Sequence, residues 1–172
     1  MYINKTAGLI PALCLVSGAV MAEGAYVGAR VGIMDADVSG LDSATNMGVL
    51  LGYTFGDVSD GMTWAVEGEF TTTASKGDVD LAGFNGDWDI DTQAIYGVLR
   101  IGGDFYGKAR VGYLREDISV SVAGISADGS DSGLSGGVGA GWRINEQIAI
   151  EAEYTLVEKD VDFYSAGVNF AF

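Results

Sequence analysis

Two closely spaced pairs of glutamates are the side chains of this sequence that could most readily do chemistry. Glu67 and Glu69 lie in the segment EGEFT, and Glu151 and Glu153 lie in the segment EAEYT. Because successive side chains of a β-strand point to opposite faces, a spacing of two places both carboxylates of a pair on one face. Such pairs can act as a general acid and a general base, or they can form ion pairs with basic side chains.

The composition removes most other catalytic chemistry. The chain of 172 residues contains no histidine, and its only cysteine is Cys14. These counts exclude Ser–His and Cys–His nucleophilic sites and any histidine metal site. The glutamate pairs are therefore predicted to form ion pairs, and the sequence predicts neither an enzyme nor a cofactor.

Aspartates cluster in the connections between apolar segments and could hold cations. Calcium binds several oxygen ligands of this kind, but neither of the two densest clusters has the spacing of a calcium-binding loop. Solvated, mutually repelling carboxylates are the simpler interpretation, so no metal site is predicted. The clusters are Asp87, Asp89 and Asp91 in GDWDID, and Asp35, Asp37 and Asp42 in DADVSGLD.

The beginning of the chain has the pattern of a secretory signal peptide. Lys5 precedes a mostly apolar run, and Val20 and Ala22 follow with the spacing of a cleavage site. The run is shorter than the roughly 20 residues that a membrane-spanning helix needs. We therefore predict a signal peptide at residues 1–22 and a mature domain at residues 23–172.

Without the predicted signal peptide, the composition of the mature domain differs from that of the whole chain. The mature domain has neither cysteine nor proline, and it carries 8 basic residues against 24 acidic ones. An exported chain without cysteine receives no stabilisation from disulfides. Because no basic patch is available to hold phosphates, nucleic acid is excluded as a partner.

The mature domain consists of alternating segments separated by connections rich in glycine and aspartate, which indicates β-strands. Long acidic connections alternate with short ones, as in outer-membrane barrels, where long loops lie outside and short turns lie in the periplasm. The sequence predicts an all-β fold, an eight-stranded antiparallel up-and-down transmembrane β-barrel. The predicted strands are 24–35, 46–55, 63–73, 88–101, 104–115, 132–143, 147–157 and 163–172.

Related segments recur in every second strand, and each has one charged and one apolar face. GARVG, EGEFT, KARVG and EAEYT carry charges whose sign alternates from one segment to the next. A solvated exterior does not require equal numbers of opposite charges. A narrow closed interior does, because an unpaired charge removed from water costs several kcal/mol. We therefore expect a lumen charge network of Arg30, Arg100, Lys108 and Arg110 with Glu67, Glu69, Glu151 and Glu153, and an apolar face toward lipid.

The last predicted strand, YSAGVNFAF, also alternates and ends the chain with phenylalanine. This pattern resembles the signal that the barrel-assembly machinery recognises in outer-membrane proteins. The resemblance implies that this machinery is a partner during biogenesis. The residues that form the apolar face are Tyr164, Ala166, Val168, Phe170 and Phe172.

The mature chain as a whole is similar to the small eight-stranded outer-membrane β-barrels of OmpA and OmpX type, the porin-family outer membrane β-barrel domain. VGARVGI, GVLLGYTFGD, YGKARVGYLRED and INEQIAIEAEY carry the similarity. It implies a Gram-negative outer membrane location and a lumen packed with charged side chains. Two departures are expected to matter. We expect no periplasmic peptidoglycan-binding domain of the kind found in full OmpA proteins after Phe172, and Glu151 stands where these barrels can carry a basic residue.

We expect a monomer that contacts outer-membrane lipid and lipopolysaccharide and has a structural or surface role. Its outer loops would be available for recognition. Three alternatives remain open: a narrow cation-preferring pore, an adhesin that acts through the acidic loops, and a soluble periplasmic β-sandwich.

Overall fold

A computed structural model describes residues 24–36, 41–59, 61–81, 84–122, 125–158 and 161–172. Most of these residues lie in β-strands, and none belongs to a helix long and apolar enough to cross a membrane. The predicted signal peptide lies outside the described residues. The strands are β1 (Ala25–Ala36), β2 (Ala44–Ser59), β3 (Met62–Ser75), β4 (Gly77–Leu81), β5 (Phe84–Gly102), β6 (Phe105–Val122), β7 (Ile125–Arg143), β8 (Ile148–Glu158) and β9 (Val161–Ala171).

The strands form one closed antiparallel sheet. Its order is β3-β2-β1-β9-β8-β7-β6-β5-β4, and β3 also pairs with β5, which closes the cylinder. β3 and β4 pair with successive stretches of β5, so together they occupy a single position around the barrel. The predicted eight-stranded antiparallel barrel is confirmed.

The barrel has two different ends. At one end, which we call the turn end, lie Gly24, Phe172 and the connections that join β2 to β3, β5 to β6 and β7 to β8. The other end, which we call the hairpin end, holds the connections that join β1 to β2, β4 to β5, β6 to β7 and β8 to β9.

Part of the sheet extends beyond the rest of the barrel at the hairpin end. β7 pairs with β8 only from Arg143↔Ala149 to Gly136↔Leu156, whereas its pairing with β6 continues to the tip of their hairpin. The extension is about 25 Å long, measured along the strands. We call it the projecting ribbon, and it consists of β4, residues 84–91 of β5, residues 115–122 of β6 and residues 125–132 of β7.

The projecting ribbon corrects several predicted strand ends. The strand predicted to stop at residue 115 reaches Val122, and the strand predicted to begin at residue 132 starts at Ile125. β5 likewise starts at Phe84 rather than residue 88, and β4 lies within a predicted loop. These segments alternate between apolar and polar residues, which favours a strand over a loop even where aspartate and glycine are frequent.

The outer face of the barrel changes from apolar to polar along its strands. On β6, Val111 and Tyr113 are 65% and 54% exposed, and the next outward residues are Arg115, Asp117 and Ser119. An apolar band therefore surrounds the barrel below the projecting ribbon, as a hydrocarbon environment requires. Its exposed members include Val31, Val49, Leu51, Phe70, Ile95, Phe105, Leu134, Val138, Trp142, Ile150, Tyr164, Val168 and Phe170.

The interior changes in the opposite sense. Charged and hydroxyl side chains predominate near the turn end, where Leu50, Ala65 and Val98 are also buried. Apolar side chains predominate near the hairpin end, where Glu116 is also buried. The change occurs within β6, between buried Arg110 and buried Leu114. The second layer, which we call the apolar layer, consists of Met34, Ala44, Val79, Trp88, Ile90, Leu114, Val157, Val161 and Phe163.

Candidate functional site

The eight charged residues expected in the lumen lie together inside the barrel. They come from β1, β3, β5, β6 and β8, and each is between 0% and 7% exposed. Strand alternation places them all on the inner face, because each is flanked in sequence by outward residues. We call this group the charge cluster, and it consists of Arg30, Glu67, Glu69, Arg100, Lys108, Arg110, Glu151 and Glu153.

Glu67 is the most highly connected carboxylate of the charge cluster. Its oxygens lie 2.7 Å from Arg100 Nη2 and 3.0 Å from Lys108 Nζ. Arg30 and Arg110 approach the same carboxylate at 3.7 and 4.0 Å. Four cations from three strands thus converge on one acid of β3.

Lys108 joins three of the four carboxylates. Its Nζ lies 3.0 Å from Glu67, 2.9 Å from Glu151 and 3.0 Å from Glu153. A lysine ammonium has three donors and no acceptor, so these three contacts use its full capacity. Arg100 adds a further contact to Glu151, at 3.2 Å.

Arg30 and Arg110 both contact Glu69 and Glu153. Arg110 contacts Glu69 at 2.8 Å and Glu153 at 2.7 Å. Arg30 contacts the same two residues at 3.1 and 2.8 Å. Each carboxylate of the charge cluster therefore contacts at least two cations, and the charges of the eight residues sum to zero.

Tyrosines complete the coordination, and the sequence analysis did not single them out. Tyr26 donates a hydrogen bond to Glu67 Oε1 at 2.7 Å, and Tyr106 donates one to Glu151 Oε1 at 2.9 Å. Arg110 lies over the ring of Tyr96, with its Cζ 4.0 Å from the ring centroid. Strand alternation could have placed both tyrosines in the lumen. Tyr26 is separated from Arg30 by an even number of residues, as Tyr106 is from Lys108, so each pair shares one face of its strand.

The turn end of the lumen opens into a small cavity below the charge cluster. The cavity is about 140 Å³, and Tyr26, Arg100, Tyr106 and Arg143 are among its lining residues. Arg143 stacks on the ring of Tyr106 at 5.0 Å and donates to the Gly103 carbonyl at 2.8 Å. Arginine and tyrosine side chains that contact each other therefore form part of the wall of the cavity.

Two aspartates of the projecting ribbon form ion pairs with Lys76. Lys76 Nζ lies 2.7 Å from Asp87 and 2.9 Å from Asp89, and these hydrogen bonds raise the pKa of Lys76. Asp91 accepts a hydrogen bond from the Thr73 N–H. Within the part of the chain that the structure describes, which does not include Asp37, no group of three acidic or thiol side chains is placed to hold a metal.

The predicted assembly residues lie on the outside of the barrel. Every second side chain of β9 faces outward, as does that of the following Phe172. The Phe172 N–H donates a hydrogen bond to the Ala25 carbonyl at 3.1 Å, which attaches the end of the chain to β1. Two of their rings stack edge to face, with centroids 5.4 Å apart. The outward residues are Tyr164, Ala166, Val168, Phe170 and Phe172.

Comparisons with known proteins agree with this architecture. A family model described as the outer membrane protein beta-barrel domain matches residues 7–172. A search of curated protein sequences found no match.

Several solved structures share the fold. Ail, the attachment invasion locus protein of Yersinia pestis, is 20% identical with a TM-score of 0.55, over 87% of this chain and 97% of that one. The outer membrane protein OprG from Pseudomonas aeruginosa is 15% identical with a TM-score of 0.63, over 88% and 97%. The outer membrane enzyme PagL is 13% identical with a TM-score of 0.51, over 86% and 99%. At these identities the similarity concerns the fold alone.

Proposed function

Because the chain belongs to the outer membrane protein beta-barrel domain family and is a β-barrel of the Gram-negative outer membrane, we propose that it is a closed, monomeric membrane anchor rather than a pore. In such barrels the short turns are periplasmic and the longer connections are extracellular. The turn end then faces the periplasm, and the projecting ribbon stands outside the cell.

The observation that carries this proposal is the filling of the lumen by two unlike layers. In the charge cluster, every carboxylate is held by two or more cations from other strands. Above it, Trp88, Ile90 and Phe163 of the apolar layer are at most 1% exposed. An ion that crossed the lumen would have to displace the paired charges and then shed its water against apolar side chains. An eight-stranded barrel offers no wider route.

The same pairing argues against acid–base catalysis, although PagL is described as an outer membrane enzyme. A general acid or base needs a substrate within hydrogen-bonding reach. The carboxylates of Glu67, Glu69, Glu151 and Glu153 point instead at buried cations. We therefore propose that the charge cluster is structural. Its ion pairs hold the inner faces of the strands against one another, and its side chains fill the lumen.

The outer surfaces suggest which partners the anchor has. The apolar band would contact outer-membrane lipid and the acyl chains of lipopolysaccharide. The outward residues of β9 and the following Phe172 are proposed to guide recognition by the barrel-assembly machinery. The name of Ail refers to attachment, and a surface-recognition role for the projecting ribbon of this chain is the corresponding proposal here.

Single-channel recording tests whether the barrel is closed. The mature chain, refolded and inserted into a planar bilayer, is expected to show no steady conductance, with a general porin in the same bilayer as a positive control. Glu67→Ala and Glu151→Ala are also expected to be silent, because the apolar layer remains. A steady cation-selective conductance of the unmodified protein that either substitution reduces would contradict the proposal and support a narrow pore.

A further inference from the structure

The small cavity at the turn end of the lumen, which we call the turn-end cavity, contains polar side chains that the fold leaves without partners. Asn169 of β9 lines it and is only 7% exposed, yet its side-chain amide makes no hydrogen bond with any described residue. The hydroxyls of Thr54 and Thr63, which also line the cavity, make none within the described chain either. Buried polar groups in proteins are normally satisfied by another protein group or by ordered water. The turn-end cavity therefore has unused hydrogen-bonding capacity.

Arg143 gives the turn-end cavity a positive charge. Its Cζ lies 5.0 Å from the centroid of the Tyr106 ring, and its Nη1 donates to the Gly103 carbonyl at 2.8 Å. A guanidinium has five N–H donors, so most of them are still available. Arg143 forms no ion pair with an acidic side chain among the residues that the structure describes. Its charge is therefore free to attract an anion from the cavity.

Arg100 lines the same cavity, but its charge is already matched. It contacts Glu67 at 2.7 Å and Glu151 at 3.2 Å. Its Cζ lies 6.0 Å from the centroid of the Tyr106 ring, so this ring is close to both arginines of the cavity. The hydroxyl of Tyr106 is also used, because it donates to Glu151. The charge cluster thus needs no further anion, and the unmatched charge of the cavity is that of Arg143.

The size and the charge of the turn-end cavity limit what it can hold. Its volume of about 140 Å³ is well below the roughly 300 Å³ at which sites for drug-sized molecules begin. A ligand of a few heavy atoms fits such a volume. The planar guanidinium of an arginine matches a carboxylate with two parallel hydrogen bonds. Glu146 is an exposed acidic residue of the lining, and its charge disfavours an anion with two charges more than an anion with one.

We propose that the turn-end cavity binds a small monocarboxylate, with Arg143 and the amide of Asn169 as its principal donors. Two N–H groups of Arg143 would hold the carboxylate, and the hydroxyls of Thr54 and Thr63 would donate to the same oxygens. The proposal rests on the proposed function in one respect, because the proposed orientation opens the cavity to the periplasm. It does not depend on whether the lumen conducts.

NMR of the asparagine side-chain amides tests the binding. The full mature protein, refolded in detergent micelles with isotope-labelled asparagine, is titrated with sodium acetate at constant ionic strength. The Asn169 signal is expected to shift saturably, with a Kd in the millimolar range because acetate has few atoms that can contribute. Asn46 is the internal control: its Nδ2 donates to the Ile90 carbonyl at 2.8 Å, near the hairpin end, and its signal should not move.

Two further probes identify the chemistry of the ligand. Acetamide has the size and shape of acetate but no charge, so it cannot form an ion pair with Arg143. It is expected to bind at least about tenfold more weakly than acetate. Inorganic phosphate carries a second charge near neutral pH and should also bind more weakly than acetate, because a single arginine is available to match it.

Arginine variants localise the site. Arg143→Gln is expected to weaken acetate binding at least about tenfold. The matched control is Arg115→Gln, which removes the same charge from the outer face of β6, where the side chain is 59% exposed. Its effect should stay below about twofold. Arg143→Lys keeps the charge but loses the planar fork, so an intermediate loss is expected. An unchanged Asn46 signal shows that each variant is folded.

Four outcomes would each overturn the proposal. They are equal binding of acetate and acetamide, tighter binding of phosphate than of acetate, an equal loss in the two glutamine variants, and the absence of a saturable shift at Asn169. None of these outcomes bears on conductance, so the two proposals fail separately.

Discussion

Glu67 shows how tightly the interior depends on individual residues. Four cations lie within 4.0 Å of its carboxylate, and its side chain is fully buried. A buried ion that loses its partner costs about 3–5 kcal/mol, because the remaining charge cannot return to water. The stability of the barrel should therefore depend on the balance of the charge cluster more than on any single contact.

A double-mutant cycle measures this balance. Glu67→Gln and Lys108→Met are each expected to lower the free energy of unfolding by about 3 kcal/mol, because each leaves one charge in excess. The double variant restores neutrality and should lose at least about 2 kcal/mol less than the sum of the two. Urea unfolding in micelles, followed by tryptophan fluorescence, provides the values.

The matched control is Lys76→Met, which removes the same kind of charge from a side chain that is 53% exposed. An exposed ion pair contributes little, so no resolvable change in the free energy of unfolding is expected. If Lys108→Met were no more destabilising than Lys76→Met, the charge cluster could not be the structural centre of the barrel.

At the scale of elements, pairs of strands accommodate the tyrosines of the lumen through glycine. Tyr26 of β1 is opposite Gly52 of β2, and Tyr106 of β6 is opposite Gly141 of β7. In both cases the ring lies where a Cβ on the glycine would be. Glycine is needed at these positions because the tyrosine must lie flat on the neighbouring strand to reach its glutamate.

An alanine substitution at Gly52 tests this arrangement. The new methyl group would displace the Tyr26 ring, whose hydroxyl donates to Glu67 at 2.7 Å. We expect a loss of about 1–3 kcal/mol in urea unfolding. Gly68→Ala is the control, because open space surrounds that position, and its effect should stay within about 0.5 kcal/mol. Equal effects of the two substitutions would show that Tyr26 is not held by this contact.

The elements also show how far sequence patterns predict this molecule. The alternation of Glu151 and Glu153 with Ile150 and Ala152 indicated one charged and one apolar face. The closed up-and-down barrel was predicted from long and short connections that alternate around an even number of strands, together with the family resemblance. The alternation in DISVSV of β6 was equally regular, but its aspartate and serines favoured a loop. The ribbon ends of β5, β6 and β7, and the whole of β4, were missed because the polarity of the two faces reverses there, while the period stays the same.

The individual partners inside the lumen could not be predicted. Glu67 contacts Arg100 across the β3–β5 pair, but it also contacts Lys108, which lies one strand further. Such contacts depend on the stagger between strands and on how far each side chain reaches across the lumen. Neither quantity can be obtained from alternation along a single strand.

At the scale of the whole molecule, one continuous sheet passes through two environments. At the level of the apolar band, charged side chains point into the barrel and aliphatic side chains point outward. In the projecting ribbon, Trp88, Val120 and Val122 pack inward, whereas Asp87, Asp89 and Ser119 face outward. This reversal is what a sheet needs when it leaves hydrocarbon and enters water. We infer that the membrane surface lies at this level on β5 and β6.

Spin-label accessibility along a single strand tests this reversal most directly. Val111 and Ser119 both face outward on β6, eight residues apart, and single-cysteine substitutions at both can be labelled because Cys14 is the only native cysteine and lies in the predicted signal peptide. In lipid bilayers, a nitroxide at Val111 should collide mainly with dissolved oxygen, and one at Ser119 mainly with a water-soluble nickel complex. A label at Val111 that the nickel complex reaches as readily as one at Ser119 would contradict the account, because the aliphatic face would then lie in water.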